Sequence, residues 1–173
     1  MKAPSFAYAK AKSLAEAFEL IERPGAKILA GGQSLIPSLN MRLASPELLV
    51  DITGIKDLKG IELRPSGLRI GALVTHAELE KSEKVASHAP LLAQAVAHVA
   101  HPAIRNRGTL GGSLALADPA AEYPACALAL NAALEVLGRD LDPPADLYHS
   151  SATKLHLAKV LLSRAWNTLS KPH

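Results

Sequence analysis

Two short glycine-bearing motifs hold the residue types in this sequence best suited to chemistry. The first is Ala30-Gly31-Gly32-Gln33-Ser34-Leu35, predicted to leave a strand and enter a helix. Without a Cβ, Gly31 and Gly32 can adopt positive φ and let a ligand approach the main chain closely. The N–H groups at the start of the next helix have no intrahelical partners, and the helix dipole adds to their attraction for an anion. Ser34 contributes a hydroxyl. This set suits a phosphate, although a plain tight turn would use the same glycines. The second motif is Arg105-Asn106-Arg107-Gly108-Thr109-Leu110-Gly111-Gly112-Ser113, which repeats the chemistry with the hydroxyls of Thr109 and Ser113 and a second glycine pair. Arg105 and Arg107 either neutralise phosphate or stand as solvated loop charges. Two such motifs fit two phosphates, or one pyrophosphate held from both sides. Neither continues into the Gly-Lys-Ser/Thr of a P-loop, and neither has the GxGxxG spacing of a Rossmann turn. The inference is a dinucleotide held outside a Rossmann fold.

Other residues carry weaker signals. His98 and His101 are three apart, but a metal site needs three or four ligands and no Cys or carboxylate lies at suitable spacing. His76 and His88 read as surface residues. Asp118, placed before Pro119, serves as readily as a helix N-cap as it would as an acid. Cys126 sits in a run of Ala and Leu and reads as a buried thiol. No Gly-x-Ser-x-Gly elbow is present. No catalytic residue and no metal ligand is assigned.

The elements that must position the glycine motifs alternate between β and α. Ser13-Leu14-Ala15-Glu16 is a capping box that opens a helix stopped by Pro24-Gly25. Lys27–Ala30 reads as a short buried strand that Gly31-Gly32 breaks. Residues 35–43 read as a helix with Pro37 in its first turn, and residues 48–52 as a second strand. A loop from Gly54 to Gly60 follows. Ile61–Leu63 and Leu68–Ala72 flank a Pro65-Ser66-Gly67 turn and form a hairpin. Thr75-His76-Ala77-Glu78 is another capping box, Pro90 begins a helix through Val99, and residues 101–113 read as loop. Pro119 can start a helix through Leu130, and residues 133–137 are a strand candidate. The strands are too short and irregularly spaced for a doubly wound sheet. The fold class is α+β in two lobes parting near residues 54–60, with residues 1–55 as the first lobe and 56–138 as the second. Residues 139–173 form a tail of different character. Within it, residues 151–169 could make a basic amphipathic helix, read as covering the core in preference to lying on a membrane.

Composition narrows the classes. Of 173 residues, 49% are hydrophobic and 20% charged, which allows a sizeable core. Aromatics are only 3% and the net charge is +3 without a cationic run, which argues against a nucleic-acid surface. A single cysteine cannot form an internal disulfide, nor supply the four thiolates of an iron–sulfur cluster. A reducing, cytoplasmic compartment fits. No apolar stretch is long enough to span a bilayer.

Taken together, Ala30–Leu35, Ile104–Ser113 and the following Ala117-Asp118-Pro119-Ala120-Ala121-Glu122-Tyr123-Pro124 resemble the FAD-binding domain of the xanthine dehydrogenase and carbon monoxide dehydrogenase family, over roughly residues 1–138. The resemblance implies a two-lobed FAD domain similar to that of vanillyl-alcohol oxidase (the PCMH type), with the second lobe incomplete. It implies that the first motif, flanked by Ile28 and Leu29, and the Thr109-Leu110-Gly111-Gly112-Ser113 motif cradle the FAD pyrophosphate. By the same resemblance the cofactor-binding positions are Ile28, Leu29, Ala30, Gly31, Gly32, Gln33, Ser34 and Leu35. They continue with Val99 on the flavin side, Thr109 to Ser113, and Glu122 on the adenosine side. It further implies an electron-transfer subunit of a molybdenum hydroxylase, passing electrons from an iron–sulfur partner through FAD to an acceptor, beside a large molybdopterin subunit that oxidises the substrate. The alternatives are a shortened remnant that no longer holds flavin and a small module for another phosphate-bearing ligand. Members of the family run well beyond this length, and residues 141–173 have no evident match to their continuation.

Overall fold

The structure, a computed structural model, describes residues 2–118 and 120–129. The strand candidate at 133–137 and the tail from 139 lie outside the described residues.

The chain opens with β1 (Ala7–Lys10), α1 (Leu14–Ile21), β2 (Ala26–Leu29), α2 (Leu35–Asn40) and β3 (Leu48–Asp51). The three strands form one parallel sheet in the order β1-β3-β2. Val50 pairs with Ala9 on one side and Ile28 on the other. All four residues of β3 are buried, as its unbroken apolar run requires of a strand covered on both faces. The β2 strand departs from the expectation of burial. It is an edge strand, and Ile28 stays 49% exposed. Apolar composition alone cannot tell a central strand from an edge. β1 was not legible at all, because Ala-Tyr-Ala-Lys carries little apolar patterning.

Ser13 caps α1 by accepting from the Glu16 N–H, while the Glu16 carboxylate accepts from the Lys12 N–H. Gly25, at φ +69°, lets the chain turn out of α1 and into β2. A 3-10 turn, Lys56–Leu58, leads to the antiparallel hairpin of β4 (Ile61–Arg64) and β5 (Gly67–Ile70). Gly67, at φ +134°, closes that hairpin. Next come α3 (His76–Glu80), with the full Thr75–Glu78 capping box, and α4 (Glu83–His88), which the sequence reading did not anticipate. They are followed by α5 (Pro90–Val96), α6 (Pro102–Arg105), α7 (Leu110–Leu116) and α8 (Glu122–Ala129). The expected loop at 101–113 therefore holds α6 and the start of α7. Pro102 sits in the first turn of α6, where its missing N–H costs nothing.

Two apolar clusters hold the fold. One gathers Ala11, Ala17, Leu20, Leu48, Val50 and Ile55 around the parallel sheet, and Leu58 and Leu73 join it. The other gathers Val74, Leu79, Val85, Leu92, Val96 and Leu110 with the wholly buried Tyr123. Leu73 and Val74 are adjacent yet belong to different clusters, so the turn after the hairpin stitches the two together. The fold is α+β, with helices predominating in the second cluster.

Candidate functional site

The two glycine motifs meet. Gly31 follows β2 and lies against the main chain of Arg107 and Gly108. A Cβ on Gly31 would collide with the Arg107 carbonyl oxygen and stand 2.9 Å from the Gly108 Cα. Gly31 is thus demanded by the second motif's backbone, independently of any ligand. Gly32, at φ +72°, has only the ends of the Ile36 and Leu29 side chains near its missing Cβ. Its left-handed conformation turns the chain into α2. The Gln33 amide donates to the Gly31 carbonyl and braces the turn. The main-chain N–H groups of Gly32, Gln33, Ser34 and Leu35 donate to no acceptor among the described residues. Ser34 stands at the N-cap of α2, exposed and making no capping bond. These free donors are the part of the site suited to an anion.

The second motif is held differently. Residues 72–76 run antiparallel beside it, with Leu110 N–H bonded to the Val74 carbonyl, Gly111 N–H to Ala72, and His76 N–H to Gly108. Thr109 is buried, and its hydroxyl accepts from the Gly112 N–H to cap α7. A Cβ on Gly111 would stand 2.6 Å from the Cβ of Ala72, and one on Gly112 would stand 2.9 Å from the Thr109 hydroxyl and 3.9 Å from the Cβ of Ala30. Close packing accounts for this glycine pair, whereas the first motif has donors to spare.

Between the motifs lies a cleft of about 270 Å³, lined by Ala30 and Gly31 from the first and by Asn106, Arg107 and Thr109 from the second. Thr53, Lys59, Leu73 and Thr75 complete it. Ligand sites for small molecules span roughly 300–1,000 Å³, so this cleft is smaller than a whole dinucleotide needs. The Thr53 and Thr109 hydroxyls and the cations Lys59 and Arg107 give the lining a donor set that fits a phosphate, and the free N–H groups of Gly32–Leu35 follow directly on Gly31 in the chain. Thr53 and Lys59 carried no signal in the sequence and Thr75 only that of a helix cap, since only the chain's return past β3 and the hairpin brings them here.

Ala30, Gly31 and Thr109 come together at the cleft, with Gly112 beside Ala30. Ile28 and Leu29 lie on β2, Leu35 opens α2, and Ser113 lies within α7. Leu110 and Val99 are buried in the second apolar cluster. Glu122 opens α8, away from the cleft lining, with its charge felt by His76 and Tyr123.

His76, read as a surface residue, is 5% exposed. It lies under the second motif, where a Cβ on Gly108 would be 2.6 Å from its Nε2. Its ring packs on Tyr123 with centroids 5.0 Å apart, and neither its Nδ1 nor the Tyr123 hydroxyl has a partner among the described residues. Burial holds the His76 pKa below its ordinary value, with Arg105 acting the same way and Glu122 opposing. Burial likewise raises the Cys126 thiol. Asp51, at the end of β3, accepts from the Tyr8 hydroxyl and the Thr53 N–H, with Lys10 at 3.8 Å. Burial pushes its pKa up, and those partners outweigh burial, leaving it lowered. Among the described residues no group of three His, Cys, Asp or Glu is arranged to hold a metal ion, and no helix is long and apolar enough to cross a membrane.

An α+β unit that folds two glycine motifs onto one donor-rich cleft is a nucleotide-cofactor-binding domain. Comparison with known proteins says which kind: residues 4–159 match the family described as the FAD binding domain in molybdopterin dehydrogenase, and the chain belongs to that family, whose cofactor is FAD. The match runs past Gly138, where the resemblance read from the motifs had ended. The chain is 51% identical over 134 residues to the 6-hydroxypseudooxynicotine dehydrogenase complex subunit alpha of Paenarthrobacter nicotinovorans, covering 76% of this chain and 45% of that one. It is 43% identical over 131 residues to the carbon monoxide dehydrogenase medium chain of Hydrogenophaga pseudoflava, covering 75% and 46%. Among solved structures, quinoline 2-oxidoreductase from Pseudomonas putida 86 superposes with a TM-score of 0.73 at 46% identity, over 75% of this chain and 46% of that one. The chain spans just under half the length of these relatives.

Proposed function

We propose that this chain is the FAD-carrying electron-transfer component of a molybdenum hydroxylase of the carbon monoxide or xanthine dehydrogenase kind. FAD supplies the redox chemistry, while the protein supplies position and electrostatics. The observation that carries this reading is the contact of Gly31 with Arg107 and Gly108, which closes the two motifs on one cleft sized for part of a dinucleotide. In this reading the free N–H groups of Gly32–Leu35 and the hydroxyls of Ser34 and Thr109 take the pyrophosphate. Ile28 to Gly31 form its floor, Leu110 to Ser113 hold the opposite wall, Val99 lies toward the flavin and Glu122 toward the adenosine. The lobes are residues 1–55 and 56–138, of the vanillyl-alcohol-oxidase-like type with the second incomplete. Leu58 and Leu73 are then the second lobe's hold on the first.

The chain has one cysteine, too few thiolates for an iron–sulfur cluster. In this reading the clusters lie on a partner subunit and substrate oxidation on a large molybdopterin subunit, in a cytoplasmic complex. The test is flavin retention. The purified chain, incubated with FAD and freed of excess by gel filtration, should carry the visible absorption of an oxidised flavin and quench its fluorescence. A folded chain that emerges colourless and leaves flavin fluorescence untouched would refute the reading.

A further inference from the structure

We propose that Lys59 and Arg107 are the cationic side of the cleft and bind the phosphate groups of the ADP half of FAD. The proposal rests on the FAD-binding reading above. Both residues line the cleft between the motifs. Both are exposed, and neither has a carboxylate within 4 Å among the described residues. Most cations near this cleft are already engaged. Arg105 is committed to Glu80 and to the carbonyls of Val99 and Ala100. Lys10 faces Asp51, and Arg69 donates to the Asp57 carbonyl and faces Glu62.

The charge balance at the cleft favours an anion. Among the described residues the lining holds two cations and no carboxylate. Of the two carboxylates that lie two residues from it in sequence, Asp51 is occupied by the Tyr8 hydroxyl, the Thr53 N–H and Lys10, and Asp57 is not part of the lining. Glu78 is spent on the N–H and hydroxyl of Thr75. Lys59 and Arg107 line the same cleft from different segments, one following the 3-10 turn and the other following α6. A phosphate group entering this cleft would meet two cations, and charge-assisted hydrogen bonds are stronger than neutral ones.

Titration of the full chain with FAD, ADP and riboflavin tests this, because only the first two carry phosphate. Lys59→Gln and Arg107→Gln should each weaken FAD and ADP by about fivefold, as a solvent-exposed ion contact does. The double variant should lose about 25-fold if the two act independently. Riboflavin binding should not change, Lys59→Arg should restore most of the ADP affinity, and the loss should shrink as salt is raised. Circular dichroism confirms that the variants fold. A folded double variant that binds FAD and ADP as tightly as the unaltered chain overturns the assignment and leaves the FAD reading standing, as does an equal loss for riboflavin. An unaltered chain that binds neither FAD nor ADP overturns both.

Discussion

Replacing Gly31 by alanine puts the meeting of the two motifs to the test. The added Cβ would stand 2.9 Å from the Gly108 Cα and 3.0 Å from the Arg107 carbonyl carbon, and ordinary contact begins near 3.4 Å. Those atoms, and the Arg107 carbonyl oxygen with which the Cβ collides, are main chain and cannot swing aside as a side-chain tip would, so the motifs must part by about an ångström. Overpacking of this kind costs about 1–3 kcal/mol. Gly31 is not among the positive-φ glycines, so alanine meets no backbone penalty and gains about 0.4–1 kcal/mol by restricting the unfolded chain. The balance is a loss of about 1–2 kcal/mol, or about 2–8 °C in melting temperature for a chain of this size. Opening the cleft should also weaken FAD by up to about tenfold, the equivalent of 1.4 kcal/mol. Gly32→Ala is the comparator. It pays about 1–2 kcal/mol for its left-handed backbone, yet meets only the yielding ends of Ile36 and Leu29. Thermal unfolding gives the cost, and amide chemical shifts locate it. Gly31→Ala should move the resonances of Arg107 and Gly108, and Gly32→Ala should leave them in place. Unchanged Arg107 and Gly108 resonances with an unchanged melting temperature in Gly31→Ala would show that the motifs are not in contact.

Arg105 and Arg107 should separate cleanly in denaturant unfolding. Arg105→Gln breaks the Glu80 contact and frees the Val99 and Ala100 carbonyls, at a cost of about 2–3 kcal/mol for hydrogen bonds from a charged group, whereas Arg107→Gln should stay within about 0.5 kcal/mol of the unaltered chain. Equal costs would contradict the division of roles. Stability should also fall in acid through His76. Its pKa is lowered in the folded state by burial, so the unfolded chain binds the proton more readily. Full stability is present above the unfolded value of about 6.5 and declines as pH drops from there toward the folded value. Urea unfolding of His76→Phe should show a shallower decline over that window, and an identical slope would clear His76.

Local chemistry wrote part of this protein into its sequence. The Thr75–Glu78 capping box and the Pro65-Ser66-Gly67 turn each satisfy their own backbone within a few residues, and the apolar run of β3 marked a buried strand although its backbone partners lie in β1 and β2, so these elements were legible. Two of the site's components, the glycine motifs, were also legible, because glycine pairs beside hydroxyls have few local uses. Their reasons were not. Gly31 and Gly111 are explained by the backbones of Arg107, Gly108 and Ala72, which are far away in the chain. The sequence could not distinguish Arg105 from Arg107, since a guanidinium's role depends on whether a carboxylate such as Glu80 is brought to it. Nor could it bury His76, which lies under Gly108 and against Tyr123 only because α3, the second motif and α8 converge. Spacing along the chain reports interactions within a turn or two. Which side chains are desolvated, which charges are paired and which donors are left free are decided by contacts between segments, and those exist only once the sheet and helices have packed.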